Sequence, residues 1–106
     1  MGISEETQKD IVTRVLAEAD PCRIILFGSA ASGTMTSDSD IDLLVLLDAT
    51  ANPAQDSTRI RRKLTGLGYP FDVIVMAKER FEESKNVIGG IAFPASKYGK
   101  VIYETA

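Results

Sequence analysis

An acidic pair placed immediately before an apolar run most constrains how this chain can fold. Asp40 and Asp42 stand two positions apart, and residues 43–47 form an unbroken apolar run. Such a run is typical of a strand that is buried on both faces of a sheet. Residues two apart in an extended segment face the same side, so both carboxylates should project together. Adjacent carboxylates repel each other unless a cation lies between them, which favours a divalent-metal site at the mouth of this strand.

Hydrophobic periodicity and turn residues predict the order α-β-β-α-β-α-β, with one further short helix before the last strand. The predicted helices cover residues 5–19, residues 53 to 66 or 68, residues 78–88 and, as the short helix, residues 91–98. The predicted strands cover residues 23–27, 40–47, 71–76 and 100–104. At 106 residues the chain can form one core, so we expect a single domain over residues 1–106, of the α/β class.

The composition excludes several classes of function. There is no His, which rules out Ser-His-Asp or Cys-His catalysis and imidazole-bound zinc within this chain. Cys22 is the one cysteine, so we expect no internal disulfide and predict a small buried apolar side chain. The net charge of −3 disfavours a surface that coats nucleic acid.

No feature of the sequence points to a membrane. The longest apolar run has five residues, far below the roughly 20 that a spanning helix needs. The first ten residues, MGISEETQKD, are polar and lack a signal-peptide core. We therefore expect a cytoplasmic protein.

Two further features complete a possible phosphate-handling site. Gly28-Ser29 follows the predicted strand 23–27, and Asp72 lies in the predicted strand 71–76. A glycine-serine turn lets backbone N–H groups and a hydroxyl approach phosphate oxygens. Carboxylates on neighbouring strands are suitable hard ligands for the metal ions that assist nucleotidyl transfer.

Together these residues resemble a known family. Gly28-Ser29, then Gly33, then the sequence SDIDL over residues 39–43 resemble the motif of the DNA polymerase β-type nucleotidyltransferase superfamily. In its short length the chain is similar to the minimal (MNT-type) nucleotidyltransferases, which often occur as antitoxins beside a helical HEPN-type toxin. The resemblance covers most of the chain and implies a mixed sheet of about four strands flanked by helices.

The resemblance also implies roles for individual residues. Asp40, Asp42 and Asp72 would bind Mg²⁺ as two ions, and Asp72 would also act as general base. Gly28 and Ser29 would hold the β- and γ-phosphates of a nucleoside triphosphate. The implied reaction is Mg²⁺-dependent transfer of a nucleoside monophosphate, AMP from ATP, to an acceptor hydroxyl, for some relatives on the partner toxin. A HEPN-type toxin or a second copy of the chain would supply the rest of the pocket.

The chain departs from the family pattern at one place. Many relatives carry a basic residue where Ala30 and Ser32 stand, whereas the next cation here after Gly28 is Arg59. Arg23 and the cluster at residues 61–63 are the candidates to replace that cation in space. The departure favours an alternative function, a non-catalytic antitoxin of the same fold that neutralises a helical toxin by contact. The three acids favour the enzyme.

Other motifs fit less well. Residues 28–33 match the first half of a phosphate-binding P-loop, but residues 34–35 are Thr-Met where that motif needs Lys and a hydroxyl residue. The acidic spacing that starts at Asp38 resembles a calcium loop, but Leu43 and Ala49 stand where Gly and Glu are required. A solvated strand end is the structural alternative for the acidic pair.

Two groups outside the motif also carry expectations. The only dense basic cluster is predicted to be a solvated helix face, with a partner or nucleotide contact as the alternative; its members are Arg59, Arg61, Arg62 and Lys63. The two tyrosines near the end of the chain, Tyr98 and Tyr103, are predicted to be packing residues.

Overall fold

A computed structural model confirms the predicted order of elements. It describes residues 3–28, 31, 33, 39–87, 90 and 92–105, and for residues 93 and 94 it describes the backbone alone. The helices are α1 (Glu5–Glu18), α2 (Pro53–Lys63), α3 (Lys78–Ser84) and α4 (Ala92–Tyr98). The strands are β1 (Arg23–Phe27), β2 (Ile41–Leu47), β3 (Phe71–Ala77) and β4 (Lys100–Glu104).

The four strands form one mixed sheet in the order β3-β2-β1-β4. β1 runs antiparallel to β2 and β4, whereas β2 and β3 are parallel. Phe27 therefore pairs with Asp42, and Asp42 pairs with Asp72. The last residue of β1 and the first residues of β2 and β3 lie at the same end of the strands, which we call the acidic end of the sheet. The opposite end of the strands, where Arg23 pairs with Leu46, is called the far end.

The apolar run in β2 is buried on both faces, as its sequence predicts. Ile41, Leu43 and Val45 pack on one side, and Leu44 and Leu46 pack on the other. All five are fully removed from solvent. Since each fully buried aliphatic side chain contributes about 1.5–3 kcal/mol, β2 is a rigid support for whatever stands at its first residues.

Helices cover both faces of the sheet. The side chains that pack on the Ile41 side of β2 come from α1, from α2 and from the residue that follows α2; they are Ile11, Val15, Ile60 and Leu64. Residues of α3 and α4 that pack on the Leu44 side are Phe81, Ala92 and Ala95. The hydroxyl of Ser57 in α2 also donates to the carbonyl of Val73 in β3. These contacts confirm the α/β class with a four-stranded mixed sheet flanked by helices.

The helices α1 and α2 start after capping side chains, and two helices end more than one residue earlier than predicted. The side chain of Asn52 accepts from the backbone N–H of Gln55 at 3.1 Å and begins α2. α2 then ends at Lys63, because Leu64 donates to Arg61 in a tighter final turn before Gly66 adopts a φ of +99°. α3 ends at Ser84 rather than at residue 88.

Three apolar residues are only partly buried, and for Cys22 this differs from the predicted buried side chain. Leu16 of α1 is 39% exposed, because the sheet-facing side of that helix is centred on Ile11 and Val15. Leu67 packs against the core only in part. Cys22 is half-buried at the edge of the core, where its thiol donates to the carbonyl of Leu46. Within the described ranges, no helix is long and apolar enough to cross a membrane.

We expect Arg14→Ala to destabilise the fold by about 1–2 kcal/mol. The Arg14 guanidinium donates from Nη1 to the carbonyls of Lys63 (3.2 Å) and Thr65 (2.8 Å), so it satisfies the end of α2 from α1. Urea denaturation would measure the change. Arg62→Ala, at an exposed position of α2, is the matched control and should cost less than about 0.5 kcal/mol. Equal losses for the two variants would refute this role of Arg14.

Candidate active site

The strand register brings two of the three predicted acids face to face. Asp42 and Asp72 occupy paired positions in the parallel strands β2 and β3. Since side chains alternate along a strand, both point to the sheet face that α3 and α4 cover. Asp40 lies one residue before β2 and is exposed, as is Asp72, whereas Asp42 is half-buried. The acids therefore lie in a shallow position, open to solvent at the acidic end.

Asp42 is the electrostatic centre of the group. Burial, then the charge of Asp72, then that of Asp40 raise the pKa of the Asp42 carboxyl above its ordinary 3.8. All three causes disfavour the ionised form. None of the ion pairs found among the described residues involves Asp42. A cation placed between these carboxylates would relieve their repulsion.

Gly28 has a role at this site that the sequence motif did not reveal. Its backbone adopts a φ of +71°, and a Cβ built on it would overlap Oδ2 of Asp42. Glycine is therefore required for the chain to turn beside that carboxylate. The sequence does show a glycine directly after β1, the strand that pairs with Asp42. Only the strand register reveals that this glycine lies beside the Asp42 carboxylate.

The turn after β1 is described only in part. The backbone N–H of Ala31 donates to the carbonyl of Gly28 at 3.2 Å, which closes a tight turn there. Ser29, Ala30, Ser32 and Asp38 lie outside the described residues. Phosphate binding by Gly28 and Ser29 therefore remains a prediction from the motif.

The donor set suits Mg²⁺ better than a metal that needs a closed protein cage. Among the residues that the structure describes, no group of three acidic or thiol side chains is placed to hold an ion by itself. Mg²⁺ usually keeps several waters and takes one or two carboxylates together with substrate phosphates. The neighbouring pair Asp42 and Asp72, with Asp40 beside it, is consistent with this coordination of Mg²⁺.

One candidate for the missing phosphate-binding cation is eliminated. Arg23 begins β1 at the far end, four residues from Phe27, or about 13 Å along an extended strand. Its guanidinium is also engaged, at 2.8 Å with Glu104 and 3.8 Å with Glu82. Arg23 is thus held away from the acids.

The basic cluster on α2 is also on the other side of the sheet. All four of its cations are exposed, which confirms the predicted solvated helix face. Arg61 lines a groove of about 540 Å³ together with Tyr69 and Phe71. That groove opens beside α2, and Phe71 packs with the core on the α2 side, away from Asp42 and Asp72.

We expect Gly28→Ala to destabilise the protein more than Gly68→Ala, by about 1–2 kcal/mol. Both glycines have positive φ, so alanine costs about 1–2 kcal/mol at either position. Only at Gly28 would the new Cβ also displace a carboxylate, since nothing lies within 4 Å of one at Gly68. Chemical denaturation compares the two variants. The excess should shrink in an Asp42→Ala background; an excess that persists there would mean that Asp42 is not the obstacle.

Asp42→Asn should raise the free energy of unfolding near neutral pH, in the absence of metal, by up to about 1 kcal/mol. The pKa of Asp42 is higher in the folded than in the unfolded chain, so the folded state binds more protons between those values. The stability contributed by proton binding to Asp42 is therefore complete below about pH 3.8, and it is lost as the pH rises through the folded-state pKa. Because asparagine carries no charge, the free energy of unfolding of the variant does not fall for this reason as the pH rises.

Denaturation in EDTA over a pH series would measure this gain. Asp40→Asn is the control, because Asp40 is exposed and should give a smaller gain. A loss of stability in Asp42→Asn at neutral pH, or a gain that is the same at every pH, would contradict the electrostatic account.

Comparisons with known proteins identify the family of the chain. The model of the nucleotidyltransferase domain family matches residues 8–95, a span that contains Gly28 and all three acids. A comparison with curated proteins gives no significant match. Among solved structures, the chain is similar to one in a crystal structure of a toxin-antitoxin with AMP-PNP, at 23% identity and a TM-score of 0.71. That alignment covers 92% of this chain and 73% of the other.

A second similar structure is a complex of tri-AMPylated Shewanella oneidensis HEPN toxin with an MNT antitoxin. The alignment has 19% identity and a TM-score of 0.66, and covers 96% of this chain and 74% of that one. At such identities the structural likeness establishes the fold. The family match extends over most of the sequence and includes the acids that the sheet places together. The chain belongs to the nucleotidyltransferase domain family.

Proposed function

We propose that this chain is a Mg²⁺-dependent nucleotidyltransferase that moves AMP from ATP to an acceptor hydroxyl. The observation that carries the proposal is the pairing of Asp42 with Asp72 across two parallel strands, directly beside the glycine turn at Gly28. Uncompensated carboxylates next to a sharp backbone turn suit a metal-nucleotide better than a purely structural role. Membership of the nucleotidyltransferase family supports the same chemistry.

The reaction is an in-line displacement at the α-phosphorus. A bond forms between the acceptor oxygen and that phosphorus, the bond to the bridging oxygen breaks, and pyrophosphate leaves with the bonding electrons. Asp72, which is exposed at the acidic end, accepts the proton of the acceptor hydroxyl. Asp42 and Asp72, with Asp40 beside them, would hold Mg²⁺ jointly with the substrate phosphates. Gly28 with Ser29 would orient the β- and γ-phosphates. When bound, Mg²⁺ would neutralise the charge that develops on the phosphate oxygens.

The acceptor is proposed to be a hydroxyl on a partner protein, a helical toxin of the HEPN type. Two of the similar solved structures are a toxin-antitoxin with AMP-PNP and an MNT antitoxin with a tri-AMPylated HEPN toxin. The shallow position of the acids supports a large acceptor, because Asp40 and Asp72 are both exposed. A surface hydroxyl of another protein could approach Asp72 without entering a closed cavity.

A second candidate function is neutralisation of such a toxin by contact, without turnover. One observation favours it: the cation that many relatives place in the turn after β1 is missing from the sequence, and Arg23 is held at the far end. Weak triphosphate binding would leave the fold intact while abolishing transfer. The two functions differ in whether the isolated chain binds a metal-nucleotide.

Calorimetric titration of ATP with Mg²⁺ tests the proposal. Wild type should bind, and Asp40→Asn/Asp42→Asn should lose at least about tenfold in affinity, since the metal loses charged ligands. The matched control is Asp20→Asn/Asp48→Asn, which changes the net charge equally at exposed positions near the far end of the sheet. It should leave the affinity unchanged.

Absence of binding in wild type up to millimolar ATP would overturn the enzymatic proposal and favour the contact function. Equal losses in the two double variants would show that net charge, rather than a site, drives binding. If binding behaves as expected, transfer of labelled AMP should be assayed with the candidate toxin. Incorporation that depends on Asp72 would support its role as general base.

A further inference from the structure

Tyr98 is more exposed than its predicted packing role allows. The side chain is 66% exposed, whereas Tyr103 packs against the core as predicted. Among the side chains that the structure describes, Tyr69 is the other exposed aromatic, at 40%. An aromatic ring left in water at the end of α4 is available to pack against a ligand.

The end of α4 lies on β1, close to the acidic end. Tyr98 is its last residue, and a Cβ on the next residue, Gly99, would stand 2.6 Å from Cγ2 of Ile25. The following residue, Lys100, pairs with Leu26, two positions before Gly28. The helix therefore ends beside the turn where the phosphates are proposed to bind.

The same helix lies on the sheet face to which Asp42 points. Ala95 packs in one cluster with Phe27 and Leu44, and Phe27 pairs with Asp42. Lys100 and Asp42 are separated by two strand spacings, or about 10 Å, and by one residue along the sheet. A nucleotide whose phosphates lie at Asp42 can therefore direct its base towards Tyr98.

Tyr69 is less suited to this role, although it also lies near the acidic end. It lines the groove beside α2 with Phe71, on the opposite face from Asp42 and Asp72. Tyr98 has a second favourable feature, because the Lys97 ammonium lies 5.4 Å from the centre of its ring. A cation held at the ring places positive charge beside the path of an anionic ligand.

We propose that Tyr98 is the stacking platform for the nucleobase of the bound nucleoside triphosphate, a subsite that rests on the proposed function. Stacking on an aromatic ring is tolerant of base identity, because every base presents a π-face. The site should therefore select its substrate through the triphosphate and metal, and discriminate little between bases. ATP and GTP are expected to bind within about tenfold of each other.

Calorimetry with Mg²⁺ and three ligands, ATP, GTP and inorganic tripolyphosphate, tests this subsite. Tyr98→Ala should weaken ATP and GTP binding by roughly 5- to 150-fold and leave tripolyphosphate binding within about twofold. Tyr98→Phe keeps the ring and should retain wild-type affinity within about threefold. Tyr69→Ala is the matched control at the other exposed ring and should bind all three ligands as wild type does.

Each other outcome overturns the subsite in a distinguishable way. Unchanged ATP affinity in Tyr98→Ala, with wild type binding normally, would refute the stacking role but leave the proposed function standing. Equal weakening of ATP and tripolyphosphate would show that the substitution disturbs the phosphate site instead. A loss in Tyr69→Ala alone would place the base on the α2 side. Failure of wild type to bind ATP would remove the proposed function together with this inference.

Discussion

The site depends on the register between β2 and its two neighbours. Pairing with β1 places Asp42 beside Phe27 and the glycine that follows it, and pairing with β3 places Asp42 beside Asp72. A shift of one residue in either pair would move the acid to the opposite face of the sheet. Because β2 is buried on both sides, the packing of its apolar residues holds the strand in place, so the core of the protein supports the geometry of the acids.

The arrangement of residues at the candidate site lowers the stability of the fold locally. Asp42 is partly buried among other carboxylates, which raises its pKa and makes its ionised form unfavourable without a cation. Gly28 adds a backbone conformation that other residues adopt only with strain. Such local costs are tolerable because the apolar residues of β2 and the helices on both faces supply the stability elsewhere. Unfavourable charge at a rigid, accessible position is characteristic of a binding or catalytic site.

The acidic end is open on the side away from the core. Asp40 and Asp72 are exposed, and the short helix α4 reaches that end with Tyr98 largely in solvent. In the proposed function, the chain supplies the metal ligands, the general base and a base-stacking ring. A partner protein then supplies the acceptor and the remaining walls of the pocket. This division explains how one small domain could perform a transfer reaction without enclosing its substrate.

The sequence by itself determined the order of elements, the limits of the strands to within one residue and the spacing of the acidic residues, because these depend on local periodicity and on motif spacing. The tertiary structure decided what depends on residues distant along the chain. It showed that Gly28 must accommodate Asp42, that Arg23 is bound at the far end, and that Tyr98 lies in solvent rather than in the core. Each of these follows from strand register or helix placement, and no local pattern encodes which distant side chain will be a neighbour.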